Sequence, residues 1–224
     1  MIVWGMDLIW LIPICVGAYF IGNVNLAVIL SKRFLRKDIR GLGSGNAGTT
    51  NMLRNFGFKW AIVVFLYDIL KGVIPVLIMR LLVGEIAMYA VGLAVVVGHC
   101  FPILSRFRGG KGVATLMGAF LVIAPAVTAI AFAIGLLYIM IFEYGAVSSL
   151  IFITIIVLWQ SVHTTNLTVH LLLVAFYLLV LFTHRGNILR LLRGRENKAR
   201  LIKRIRKKFQ KPKPAKIQIQ SSSQ

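Results

Sequence analysis

Acidic residues are scarce in this sequence: six Asp and Glu stand against 26 Lys and Arg in 224 residues. Charge of either sign makes up only 14% of the chain, where soluble domains carry about 25%. Apolar residues make up 58%, and the mean hydropathy is +0.85. A soluble globular domain is excluded by that balance, and a bilayer is the solvent that fits it. The two cysteines, Cys15 and Cys100, lie in or beside apolar segments, where no disulfide framework is expected. So few acids cannot supply a two-metal centre, and no His, Cys, Asp and Glu cluster has metal-ligand spacing. There is no Gly-x-Ser-x-Gly elbow and no cysteine paired with a base. No Lys or Arg precedes the first apolar run, so the charged start of a cleavable signal peptide is missing and the run reads as a retained span.

What is present is positive charge in three places. Lys32, Arg33, Arg36, Lys37, Arg40, Arg54 and Lys59 fall between the first two apolar runs. Arg106, Arg108 and Lys111 share a short loop, and fourteen more basic residues follow the last run, from Arg185 to Lys216. Clustering of Lys and Arg in alternate connections is the mark of a polytopic membrane protein with those connections in the cytoplasm. Attraction to anionic lipid headgroups accounts for the tail, and nucleic acid is not an expected partner.

A helix needs about 20 apolar residues to cross the hydrocarbon. The apolar runs are 8 to 31, 59 to 83, 86 to 105, 113 to 142, 145 to 159 and 168 to 184. Read as one helix, the fourth would put the first basic loop and the basic tail on opposite sides. Proline breaks or kinks a helix, so a split at Ala124-Pro125 gives a short helix of about 12 residues and seven crossings. The expected fold is therefore an all-α integral membrane protein of about seven transmembrane helices, N-terminus outside and C-terminus cytoplasmic. Residues 1–198 form one polytopic domain, and 199–224 a basic, partly disordered cytoplasmic tail.

Three polar segments then share the cytoplasmic face. The first, Gly41 to Arg54, has glycines at 41, 43, 45 and 48 that allow tight turns and bring amide donors toward one anion. Ser44, Asn46, Thr49, Thr50 and Asn51 add side-chain partners, and Arg54 adds a guanidinium fork suited to phosphate. A flexible linker would not need this density of Asn, Thr and Arg. The second segment places Gly109-Gly110-Lys111-Gly112 directly before a helix, where exposed amides and the helix dipole favour an anion. It is not a Walker A loop, because Ser105 and Gly112 stand where glycine and Ser or Thr are required. His99, beside it, reads equally as a structural or a functional residue. The third segment runs from His184 to Lys198. His184 and Asn187, three apart, share a helical face, while Ile188 onward reads as a basic amphipathic helix on the membrane surface. Glu196 is the one acid there and is expected to pair with neighbouring arginines. Asp68 and Lys71, three apart inside the second run, read as a structural ion pair.

Two phosphate-type loops at one membrane face suggest a reaction joining a phosphorylated soluble molecule to a lipid. An activated substrate held in place, with its leaving group stabilised, fits better than a covalent enzyme intermediate. A membrane transporter of an organic phosphate is the alternative, although no comparable polar cluster lies on the far face.

The three segments resemble the motifs of the bacterial acyl-phosphate:glycerol-3-phosphate acyltransferases of the PlsY type. Gly-Ser-Gly-Asn-x-Gly-x-x-Asn-x-x-Arg spans Gly43 to Arg54. Gly-His-x-Phe-Pro with Phe-x-Gly-Gly-Lys-Gly-Val-Ala-Thr spans Gly98 to Thr115, and His-Arg-x-Asn-Ile-x-Arg-Leu-x-x-Gly-x-Glu-x-Lys spans His184 to Lys198. Gly186 stands where the family often has an acid, Thr49 where alanine is usual, and the basic tail is longer than typical. The resemblance implies transfer of a fatty acyl group from acyl phosphate to the 1-hydroxyl of sn-glycerol 3-phosphate, the first acylation of phospholipid synthesis, in the bacterial inner membrane. It implies no cofactor and no metal. The expected partners are acyl phosphate, glycerol 3-phosphate, membrane lipids and the enzyme that makes acyl phosphate. On this resemblance Ser44, Arg54, Lys111, His184 and Asn187 are the expected catalytic residues. Gly43, Gly45, Asn46, Gly48, Asn51, His99, Gly109, Gly110, Gly112 and Thr115 are the expected substrate-binding ones, and Asp68, Lys71 and Glu196 the structural ones.

Overall fold

The computed structural model describes residues 8–199, with no side-chain description for Leu8. The tail beyond residue 199, and with it the expected disordered end, lies outside the described residues. The helices are α1 (Leu8–Asn23), α2 (Leu26–Arg33), α3 (Thr49–Phe56), α4 (Phe58–Leu82), α5 (Glu85–Cys100), α6 (Val113–Ile123), α7 (Pro125–Phe142), α8 (Gly145–His163) and α9 (Leu167–Leu192). No strand occurs among the described residues. Six segments are long and apolar enough to cross a membrane, and α6 is the short apolar helix beside them.

Three boundaries differ from the sequence reading. The first span, expected from 8 to 31, breaks at Val24 into α1 and α2. Asn25 makes the break: its side-chain oxygen accepts the Val28 N–H at 3.1 Å and caps α2, as Asx residues do at helix starts. The glycine-rich segment ends in a helix, α3, rather than staying a loop throughout. Finally α9 runs on to Leu192, so Ile188 onward continues the last span instead of forming a separate surface helix. The hydropathy drop at His184 marks where the helix begins to carry polar side chains, not where it stops.

Close backbone approach holds the centre together. A Cβ on Gly72 would run into the Thr115 carbonyl of α6, and one on Gly118 would run into the Ile69 carbonyl of α4. Gly22 and Gly98 play the same part between α1 and α5. Small residues serve this purpose in membranes, where there is no hydrophobic drive between helices. Around that contact Phe120 meets Tyr89 and Phe176 edge to face, with ring centroids 6.2 and 5.2 Å apart. Such pairs contribute about 0.5–1.5 kcal/mol each beyond burial.

At the break before Pro125 the Phe120 carbonyl accepts the Ala124 N–H at 2.8 Å and the Ala124 carbonyl accepts the Thr128 N–H at 3.1 Å, and the Thr128 hydroxyl lies 2.9 and 2.7 Å from the same two oxygens. Helix α6 is short because it starts inside the bundle: Thr115 lies against Gly72, roughly 20 Å along α4 at 1.5 Å per residue. Val113 at the start of α6 and Gly145 at the start of α8 line one cavity. The chain that leaves this end of the bundle through α6 has therefore returned to it by the end of α7. At the other end Gln160 of α8 and Tyr89 of α5 are joined by a hydrogen bond between their side chains. Topology reporters fused at Glu85 and Gln160 are expected to read external and one at Lys216 cytoplasmic. A cytoplasmic signal at Gln160, or an external one at Lys216, would contradict the path.

Candidate active site

The cavity, of about 470 Å³, lies where the three polar segments meet. Its polar side is built from two helix starts. Gly48 precedes α3 and Gly112 precedes α6, and neither helix has a side-chain cap. The first amides of a helix have no partner within it, so uncapped starts that face a cavity present donors and the positive end of the helix dipole. Gly48, Thr49 and Thr50 from the first, and Gly112, Val113 and Ala114 from the second, line this space. Gly112 takes a left-handed backbone, φ +80°, that a side chain would strain.

Between those starts runs a chain of polar side chains. Lys111 donates to the Asn187 side-chain oxygen. The Asn187 amide donates to Glu196 at 2.7 Å, and Arg190 Nε donates to the other Glu196 oxygen at 2.9 Å. His184, 1% exposed, has Nδ1 2.9 Å from the Val180 carbonyl. Nδ1 must therefore carry the proton, which leaves Nε2 as an acceptor. Burial lowers Lys111 to about 8, against the upward pull of the Glu196 carboxylate. The segment after α9 is tied across the site, since the Ala199 N–H donates to the Glu143 carbonyl at 2.7 Å and Glu196, Asn197 and Ala199 all line the cavity.

Of the expected residues, Ser44, Asn46, Gly48, Asn51, Arg54, His99, Lys111, Gly112, His184 and Asn187 line this one space, together with Asp68 and Glu196. Gly43, Gly45, Gly109, Gly110, Thr115 and Lys71 are not in its wall. Asn51 is a loop organiser: its amide nitrogen donates to the carbonyls of Ile39, Leu42 and Asn46, and its oxygen accepts from the Ser44 N–H. A Cβ on Gly110 would strike the His99 ring, so that histidine by itself requires glycine here. Thr115 is fully buried with its hydroxyl unpartnered. Among the described residues no three His, Cys, Asp or Glu side chains gather as a metal site.

A sequence profile described as glycerol-3-phosphate acyltransferase matches residues 12–194. The chain belongs to that family. The glycerol-3-phosphate acyltransferase of Thermoanaerobacter pseudethanolicus is 42% identical over 181 residues, 81% of this chain and 91% of that one. The Clostridioides difficile protein of the same name is 41% identical over 201 residues, covering 86% and 97%. Among solved structures, the crystal structure of PlsY (YgiH), an integral membrane glycerol 3-phosphate acyltransferase, in its glycerol 3-phosphate form, is similar with a TM-score of 0.80 at 33% identity, covering 84% of this chain and 95% of that one. Its lysophosphatidic acid form gives 0.77 at 32% identity, with the same coverage. The resemblance seen in the motifs is borne out at the level of family and integral membrane fold, and the transporter alternative gives way to it.

Sequence reasoning missed two parts of this family's pocket. Arg190 lies three residues beyond Asn187 on the same face of α9, a spacing that could have flagged it. The apolar wall, with Ala61, Ile62 and Phe65 of α4 facing Phe132, Leu136 and Ile139 of α7, left no local signal, because its residues look like any lipid-facing helix. Phe65 and Phe132 stack at 6.3 Å across that gap. NMR of dimethyl-lysine labels on the purified chain should show one lysine titrating near 8. In Glu196→Gln that midpoint should fall further, because the carboxylate that holds it up is gone. A midpoint near the ordinary lysine value of about 10.4 would contradict the burial.

Proposed function

We propose that this chain transfers a fatty acyl group from acyl phosphate to the 1-hydroxyl of sn-glycerol 3-phosphate, giving 1-acyl-glycerol 3-phosphate and inorganic phosphate. The observation that carries the reading is one cavity with two uncapped helix starts, Arg54 and Lys111 on one side and an apolar wall on the other. That wall suits an acyl chain lying between helices, and the polar side suits two phosphates. A mixed anhydride already has a good leaving group, so no protein nucleophile is required.

Ser44, Asn46 and Arg54 hold the phosphate of the acyl donor. Lys111, at the start of α6, holds glycerol 3-phosphate and neutralises the charge that develops on the acyl oxygen. His184, with Nε2 as acceptor, and Asn187 orient the attacking hydroxyl. The hydroxyl oxygen bonds to the acyl carbon and the bond from that carbon to the phosphate oxygen breaks. The hydroxyl proton passes to the departing phosphate. Orientation of this kind lowers the barrier by holding the reacting atoms at attack distance. The site faces the cytoplasm of a bacterial inner membrane, where both substrates are made, and the enzyme that makes acyl phosphate is the natural partner.

Purified protein in detergent is expected to make lysophosphatidic acid from glycerol 3-phosphate and palmitoyl phosphate, and none from palmitoyl-CoA. Product from the thioester would overturn the donor assignment. Ser44→Ala, Arg54→Ala and Lys111→Ala should each insert normally and lose about a hundredfold or more in kcat/KM, the scale for removing one oriented donor. Wild-type turnover in all three would place the chemistry elsewhere.

A further inference from the structure

At the cavity, with Asp68 and His99 in its wall and Lys71 behind them, lie three buried ionisable residues, at 2%, 3% and 4% exposure respectively. The Lys71 ammonium is 2.8 Å from the Asp68 carboxylate and 2.7 Å from His99 Nδ1. It also donates to the Val24 carbonyl at 3.1 Å and the Gly22 carbonyl at 3.4 Å. Those carbonyls are free because α1 ends at Asn23, so one side chain from α4 closes the end of a different helix. An ordinary buried ion pair explains the contact with Asp68 but not the other three.

Each remaining contact leads to one of the two phosphate-type loops. The residue after Val24 is Asn25, whose amide donates to the Ala47 carbonyl at 3.1 Å, in the middle of the first loop. His99 is the bed of the second loop: its carbonyl accepts the Gly110 N–H at 3.2 Å, and its ring fills the space where a Gly110 Cβ would stand. The same Cβ would lie 2.9 Å from the Ala47 carbonyl, so the two loops touch where both are braced. Lys111, the next residue, leaves this turn toward Asn187.

We propose that Lys71 is a positioning residue for the acyl transfer. Through Val24 and Asn25 on one side and His99 on the other, its ammonium sets the separation between the Ser44 loop and the Gly109–Lys111 turn, and with it the separation of the two substrate phosphates. This rests on the reading of the cavity given under Proposed function. Moving one bound group by about 1 Å is enough to cost about a hundredfold in rate, so a brace that touches no substrate can govern turnover.

Two changes remove the brace without leaving a lone buried charge: the double variant Asp68→Asn/Lys71→Met, and His99→Leu. Both are expected to raise the KM for glycerol 3-phosphate about tenfold or more and to lower kcat. Hydrogen exchange at the amides of 109–112 should quicken about tenfold, with exchange in α7 and α8 unchanged. His99→Asn, which keeps an acceptor at the Nδ1 position, should recover most of what His99→Leu loses. Wild-type KM, kcat and loop exchange in a folded double variant or in His99→Leu would overturn the proposal. So would failure of both variants to fold, or equal losses in His99→Asn and His99→Leu, since each result makes the cluster a matter of packing alone. An inactive wild-type protein would instead refute the functional reading, and loop exchange would still report on the brace.

Discussion

Inside hydrocarbon, a backbone N–H or C=O without a partner costs several kcal/mol, and this molecule is organised by where it breaks that rule's easy solution, the unbroken helix. The chain interrupts itself at Val24, between Cys100 and Val113, and at Ala124. Freed carbonyls are met by side chains: Lys71 donates to the Val24 oxygen at the first interruption, and Arg80 to the Val122 oxygen at the last. Freed amides at the starts of α3 and α6 meet no side-chain cap and face the cavity. Donors that a side chain would cap in many helices are here turned to the cavity.

The buried charges follow from the same constraint. Losing one member of a buried pair costs about 3–5 kcal/mol because the other is stranded, so the Asp68 and Lys71 pair stands or falls together. The chain from Lys111 through Asn187 and Glu196 to Arg190 lies in the cavity wall, where each buried polar group has a partner in the next. Two polar networks thus reach the cavity, one tied through Lys71 to freed backbone carbonyls and the other linking side chains to one another.

How much of this was legible in the sequence depends on the range of the interaction. The split at Ala124-Pro125 follows from local proline chemistry and a count of charges, and α6 and α7 do separate there. Ser44, Arg54, Lys111, His184 and Asn187 are far apart in sequence, and their meeting in one cavity follows from motif and membrane face. Asn25 as a helix cap inside an apolar run was not legible, because asparagine there looks like an isolated polar residue until the helix break is seen. The His99 ring that a Gly110 Cβ would strike was not legible either, because it comes from eleven residues away. The apolar wall was invisible for the opposite reason, since every lipid-facing helix carries the same residues.

The strap from Gly194 to Ala199 ends in a backbone hydrogen bond to Glu143, at the turn between α7 and α8. That bond anchors the chain at a second helix pair before the basic tail begins. Between its two ends the strap carries Glu196, whose oxygens hold Asn187 and Arg190 in place. Mechanically the strap is a beam pinned at both ends, at the end of α9 and at the turn between α7 and α8, with Glu196 between the pins.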